Sequence, residues 1–290
     1  MDEISGLAEM RAWSRARARD GARIGFVPTM GYLHEGHLRL VDRARECGDL
    51  VILSIFVNPL QFGPSEDFAR YPRDLDRDRA LAAERGVDRL FVPDARAMYP
   101  TEPSVRVTPP EGALGDSLEG AARPGHFAGV LTVVAKLFQI VAPHVAVFGR
   151  KDYQQARLVR RMVDDLDFPL TIEVAPTVRD RDGLALSSRN AYLSPAQRRS
   201  ALALSGALGA VETAWREGLT DATALRDRGM QVLAAPGVQP EYLALVDEAL
   251  QPVRQATPRT VALVAARVGV TRLIDNVVLG DGVAADPTVG

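Results

Sequence analysis

Apolar runs of strand length alternate with amphipathic helical stretches over the first 175 residues, the pattern of a parallel sheet covered by helices. Strands are predicted over 23–28, 50–57, 89–93, 145–148 and 171–175, with helices over 37–46, 75–85, 126–141 and 154–165. The run Leu50-Val51-Ile52-Leu53-Ser54-Ile55-Phe56-Val57 is too uniformly apolar to have a wet face and belongs mid-sheet. After Thr177 the order becomes helix, helix, strand, strand, strand, with helices over 196–218 and 222–233 and strands over 241–246, 259–265 and 272–278. Ser194-Pro195-Ala196-Gln197 carries a capping serine, a first-turn proline and a glutamine placed to reach back, which together start a helix. The expected fold class is therefore α/β, a parallel sheet with helices on both faces over residues 1–177, followed by a smaller α+β domain over 178–290. The last ten residues are small and polar, the composition of a fraying end.

At 290 residues the chain is long enough for about two domains. Its 47% hydrophobic and 25% charged residues exclude disordered and collagen-like classes. Charged residues interrupt each long apolar run, as Lys136 does between Val130 and Ile140, so no membrane span is expected. The start Met1-Asp2-Glu3-Ile4-Ser5 lacks secretory features and Cys47 is the lone cysteine, which predicts a reducing, cytoplasmic setting. A net charge of −2 offers no general attraction to nucleic acid, leaving small molecules as the expected partners. Among 35 basic residues only Lys136 and Lys151 are lysines. Arg is a planar fork and Lys a compact point charge, so a surviving lysine marks a position where an arginine fails or one retained by chance.

Four stretches carry candidate chemistry. Pro28-Thr29-Met30-Gly31-Tyr32-Leu33-His34-Glu35-Gly36-His37 lies where a strand turns into a helix, a junction that offers unpaired N–H groups to anions. His34 and His37 share a helical face there and can donate to phosphate oxygens. Their spacing is one short of the zinc motif H-E-x-x-H, and His37 and Leu38 replace the lysine and hydroxyl of a Walker A loop. Asn58 and Gln61 follow the second strand, at the edge where open α/β sheets bind ligands, and suit the hydroxyls and carboxylate of a small polar substrate. In Gly149-Arg150-Lys151-Asp152-Tyr153-Gln154-Gln155, Lys151 can neutralise charge on a transferring phosphate and Gln155 shares its face. Ser187-Ser188-Arg189 forms a small-residue anion clamp suited to a lid. Asp76 or Asp78, in a run that also reads as a solvated helix face, is the candidate for a metal.

With Arg123-Pro124-Gly125-His126-Phe127 and Thr271-Arg272-Leu273-Ile274-Asp275-Asn276 added, the set resembles the pantoate:β-alanine ligase family over nearly the whole chain. That family belongs to the nucleotidyltransferases marked by a histidine-x-glycine-histidine turn. The resemblance implies a Rossmann-like first domain, a smaller lid domain, a homodimer and an AMP-forming reaction of pantoate, ATP with Mg2+, and β-alanine through a pantoyl adenylate. It implies that Met30, Gly31, His34 and His37 line the ATP site, with His37 the proton donor. Gly149, Arg150, Lys151, Asp152, Val178, Leu186, Ser187, Ser188 and Arg189 complete it, and His34, His37 and Lys151 are the catalytic set. Pantoate falls to Gln61 and Gln155, with Asn58 beside them, and β-alanine to Gln61; from the acidic run, Asp78 is taken for the metal. Arg150 replaces the acidic residue common before this lysine, so its nucleotide contact is expected from backbone. Two rivals stand beside this reading: a nucleotidyltransferase acting on a phosphorylated substrate, and an RNA-binding relative of synthetase domains. The amide-rich pocket and the near-neutral charge argue against them in turn.

Overall fold

The computed structural model describes residues 1–64, 66–101 and 105–283, so the last seven of the ten C-terminal residues expected to fray lie outside it. In chain order the first part contains β1 (Asp2–Ile4), α1 (Leu7–Arg19), β2 (Ile24–Thr29), α2 (Glu35–Cys47), β3 (Leu50–Ile55), α3 (Leu75–Glu84) and β4 (Arg89–Phe91). Three one-turn helices follow, α4 (Ala95–Met98), α5 (Ala113–Asp116) and α6 (Glu119–Ala122). Then come α7 (His126–Val141), β5 (Val145–Gly149), α8 (Tyr153–Asp165) and β6 (Thr171–Ala175). The remainder holds α9 (Pro195–Arg216), α10 (Ala222–Leu233), β7 (Val238–Val246), β8 (Val261–Val268) and β9 (Thr271–Val278).

The chain forms two compact units, residues 1–149 with 154–175, and residues 150–153 with 176–290. In the first, six strands lie in the order β1-β4-β3-β2-β5-β6, and every pairing is parallel. Alternate side chains bury on opposite faces, as strands with both sides covered require. Phe26, Ile52 and Phe91 pack with α1, α7 and α8, whereas Val27, Leu53 and Leu90 pack with α2 and α3. From β2 the chain runs outward through β3 and β4, and later returns to lay β5 and β6 on the other side. The strand order therefore reverses between β2 and β5, and the carboxyl edge there is where open α/β sheets take ligands.

The second unit is built on an antiparallel sheet, β7-β8-β9. Leu204, Leu208 and Val211 of α9 and Leu225 of α10 close its core against Leu243, Val264 and Leu273. The capping box at Ser194 forms as its sequence predicts: Gln197 N–H donates to Ser194 Oγ and Ser194 N–H to Gln197 Oε1. Arg179 and Asp275 make a two-pronged ion pair in this core, their side chains only 4% and 2% exposed.

The structure adds elements that the hydrophobic pattern did not show. β1 is an edge strand of three residues, and two of them are acidic and pair outward with Arg89 and Arg79. α1 buries only Met10 and Ser14 beneath an arginine-rich surface, too narrow a stripe to stand out. α2 begins at Glu35 rather than at His37, because extended His34 serves as the residue before the first turn.

Candidate active site

The turn after β2 sets the first part of the site. Gly31 has φ +80°, and a Cβ there would lie 2.8 Å from Ile55 Cγ2 and 2.9 Å from Asp78 Oδ2, so glycine is required on both counts. Tyr32 follows with φ +52°. The turn is held from below: Asp78, buried in α3, accepts Tyr32 N–H at 2.7 Å through Oδ2 and Leu33 N–H at 2.6 Å through Oδ1. Burial pushes the Asp78 carboxyl up from its ordinary range, against the lowering pull of those two amides. Beyond the turn the His34 and His37 rings stack with centroids 4.0 Å apart, as spacing on one helical face predicts. His34 N–H donates to His37 Nδ1 at 3.4 Å. With Nδ1 accepting, a neutral His37 carries its proton on Nε2, the nitrogen that can donate.

This arrangement gives Asp78, the metal candidate, a structural task. Both Asp78 oxygens serve the histidine turn, and Asp76 is 94% exposed and paired with Arg79. Among the described residues no three His, Cys, Asp or Glu side chains gather as a metal set.

The second part is the turn after β3, where Asn58 and Gln61 sit. Asn58 is buried with its hydrogen-bonding positions filled. Its Nδ2 donates to Gln61 Oε1 and to Gly129 O, both at 3.1 Å. Its Oδ1 accepts Leu60 N–H at 3.3 Å and Tyr99 O–H at 3.0 Å. Asn58 therefore orients Gln61. With its oxygen turned to Asn58, Gln61 directs its amide nitrogen the other way, toward Met30 Sδ at 3.2 Å. That contact joins the two turns into one surface.

The Gln61 backbone is held as well. His126, at the start of α7, lies 2.9 Å from Gln61 O through Nδ1 and 2.9 Å from Arg123 through Nε2. Burial and the adjacent Arg123 charge push this imidazole down to about 4, so it is neutral, donating from Nδ1 and accepting at Nε2. Arg123 in turn clamps Glu66 at 2.7 and 2.6 Å. The glutamine pair after β5 divides its labour. Gln154 is buried and spends its amide on Glu119 N–H, Leu114 O and Ser117 O, while Gln155 is half-buried.

The remaining candidates belong to the second unit. Lys151 sits in a short helical turn, 3.6 Å from Asp152. Asn276 of β9 donates to the carbonyls of both Arg150 and Lys151 at 2.9 Å, anchoring that turn. The Arg150 side chain pairs with Asp281. Val178 and Leu186 face each other across a backbone hydrogen bond of 3.0 Å, and Ser187 accepts Arg189 N–H at the head of the turn that begins at buried Ser188. Tyr99, Gly129, His126 and Asn276 had no assigned part in the sequence reading. Only the last two lay in motifs that could have drawn attention to them.

A parallel sheet whose order reverses beside two polar turns is an open α/β architecture, the class whose ligands bind at the carboxyl edge. The comparisons make it a ligase. A family model described as pantoate-beta-alanine ligase matches residues 3–278, and the chain belongs to that family. It is 52% identical over 278 residues to the pantothenate synthetase of Heliobacterium modesticaldum, covering 95% of this chain and 98% of that one. The pantothenate synthetase of Moorella thermoacetica is 53% identical over 282 residues, with 96% and 99% covered. Among solved structures, pantothenate synthetase from Thermus thermophilus superposes with a TM-score of 0.91 at 51% identity, over 96% of this chain and 99% of that chain. Pantoate-beta-alanine ligase from Francisella tularensis, complexed with beta-gamma ATP and beta-alanine, gives 0.80 at 33% identity, over 98% and 100%.

Proposed function

We propose that the enzyme joins pantoate to β-alanine through a pantoyl adenylate, at the expense of ATP. A pantoate carboxylate oxygen bonds to the α-phosphorus as the bond to pyrophosphate breaks. The neutral β-alanine amine then attacks the acyl carbon, AMP leaves, and the nitrogen sheds a proton to become the amide of pantothenate. Adenylation makes the carboxylate oxygen a leaving group without a protein nucleophile, so the protein's tasks are alignment and stabilisation of phosphate charge. In this reading Met30, Gly31, His34 and His37 hold the nucleotide, and His37 donates the Nε2 proton to the departing pyrophosphate. Lys151 supplies positive charge, and the Gly149 to Asp152 backbone, Val178, Leu186, Ser187, Ser188 and Arg189 complete nucleotide binding. Gln61 and Gln155 hold pantoate, with Gln61 also meeting β-alanine and Asn58 setting its orientation.

One observation carries this reading: the stacked histidines at the start of α2, at the strand reversal, beside the Met30 contact to Gln61. The nucleotide and β-alanine in the complex of the Francisella relative support both ligands. The test is ATP–pyrophosphate exchange with pantoate alone, followed by AMP release when β-alanine is added. Exchange that needs β-alanine, or ADP in place of AMP, overturns it. We take the working assembly to be a homodimer, which sedimentation checks directly.

A further inference from the structure

Lys136 is one of only two lysines among 35 basic residues, and the proposed chemistry leaves it unused. It lies on α7, partly buried. Its Nζ donates to Met98 O and stands 5.2 Å from the centroid of the Tyr99 ring. A compact ammonium can serve a carbonyl and an aromatic face together, whereas a planar guanidinium in the same space must choose its plane. The far face of this arrangement is the Tyr99 hydroxyl, donating to Asn58 Oδ1. Asn58 then passes its own amide hydrogens to Gln61 Oε1 and Gly129 O. The polarity of this chain has one solution. Leu60 N–H faces Oδ1 and Gly129 O faces Nδ2, so the Asn58 amide cannot flip and the phenol must be the donor. Burial raises the Tyr99 phenol above its ordinary value, which keeps that proton in place.

We propose that Tyr99 and Lys136 are positioning residues for the pantoate site: Lys136 fixes the Met98–Tyr99 segment, Tyr99 fixes the Asn58 amide, and Asn58 turns the Gln61 nitrogen toward the Met30 turn as a donor. A donor fixed there selects substrates that present an acceptor, a carboxylate or hydroxyl oxygen, beside Met30. The inference rests on the reading of Gln61 as a pantoate ligand and extends it two residues deeper.

The experiment measures KM for pantoate and for ATP, with kcat, in Tyr99→Phe, Lys136→Met, Lys136→Arg, the Tyr99→Phe/Lys136→Met double variant, and Gln61→Ala as reference. Tyr99→Phe keeps the ring and removes one buried hydrogen bond, for an expected rise in pantoate KM of about tenfold with ATP KM unchanged. Lys136→Met is expected to act in the same direction, and Lys136→Arg to restore it only in part. Because both residues act through Asn58 Oδ1, the double variant is expected to resemble the Tyr99→Phe single rather than the product of the two. Multiplying effects, equal shifts in both KM values, or a loss of melting temperature with both KM values intact overturns the inference while Gln61→Ala still impairs pantoate binding. A Gln61→Ala enzyme with unaltered pantoate KM overturns the pantoate-site reading itself, and this inference with it.

Discussion

Gly129 offers the sharpest trial of how the pantoate side is built, because two physical effects pull its replacement in opposite directions. It lies inside α7, where helix propensity favours alanine by about 1 kcal/mol. A Cβ at this position, however, would stand 2.2 Å from Leu60 O, 2.5 Å from Leu60 C and 2.6 Å from Gln61 N. All three are backbone atoms and cannot swing aside. Restoring ordinary contact near 3.5 Å requires the helix and the turn to part by more than about 1 Å. Such overpacking costs about 1–3 kcal/mol, and separation also breaks the Asn58 bond to Gly129 O, worth about 1 kcal/mol. The steric effect exceeds the propensity gain, so Gly129→Ala is expected to lower stability by about 1–3 kcal/mol. A displacement of that size at Gln61 is expected to cut pantoate-dependent pyrophosphate exchange by about 100-fold. Gly209 of α9 is the matched control, since no atom lies within 4 Å of its added Cβ, and Gly209→Ala should stabilise by up to about 1 kcal/mol. Chemical denaturation and the exchange assay read both effects. A Gly129→Ala enzyme as stable as Gly209→Ala, with normal exchange, would refute the argument.

Asp78→Asn is expected to be far from conservative, since its NH2 must face one of two backbone N–H donors in a buried site; a loss of about 1–3 kcal/mol in a melt, with impaired exchange, checks this. His126 has a folded-state pKa of about 4, below its ordinary 6.5. As pH falls the unfolded chain takes the proton first, so about 3 kcal/mol of stability present above pH 6.5 drains away by pH 4. Unfolding of His126→Gln across that window should lack this component, and identical pH slopes would reject it. Lys151→Ala is expected to slow adenylate formation about 100- to 1000-fold, and Lys151→Arg to be impaired as well; near-normal exchange in the arginine variant would count against the argument from lysine scarcity.

The hydrophobic pattern made the middle of the fold legible. The apolar run at β3 occupies a central strand, α7 spans the residues its periodicity implies, and the serine cap of α9 stands where its residues put it. Short or strongly charged elements were not legible: β1 gains its place from pairing with β4, and α1 from a narrow strip of contact. The site divides in a similar way. Residues that meet a ligand in the proposed reaction could be found from their position at strand ends, as with the histidine pair. Residues that hold them could not, because their partners are distant in sequence. Asp78 reads as one charge in a solvated run until Tyr32 and Leu33 are seen above it. Asn58 reads as a ligand until its atoms are found engaged with Tyr99 and Gly129.

The anchoring of Lys151 by Asn276 has a consequence for synthesis. All six strands of the parallel sheet are available once residue 175 has left the ribosome, but the amide that secures the lysine's turn belongs to the last strand of the chain. During the interval the nascent protein carries its histidine pair while the Lys151 turn lacks its tether. If Lys151 plays its proposed part, competence waits for the hairpin of β8 and β9 to form.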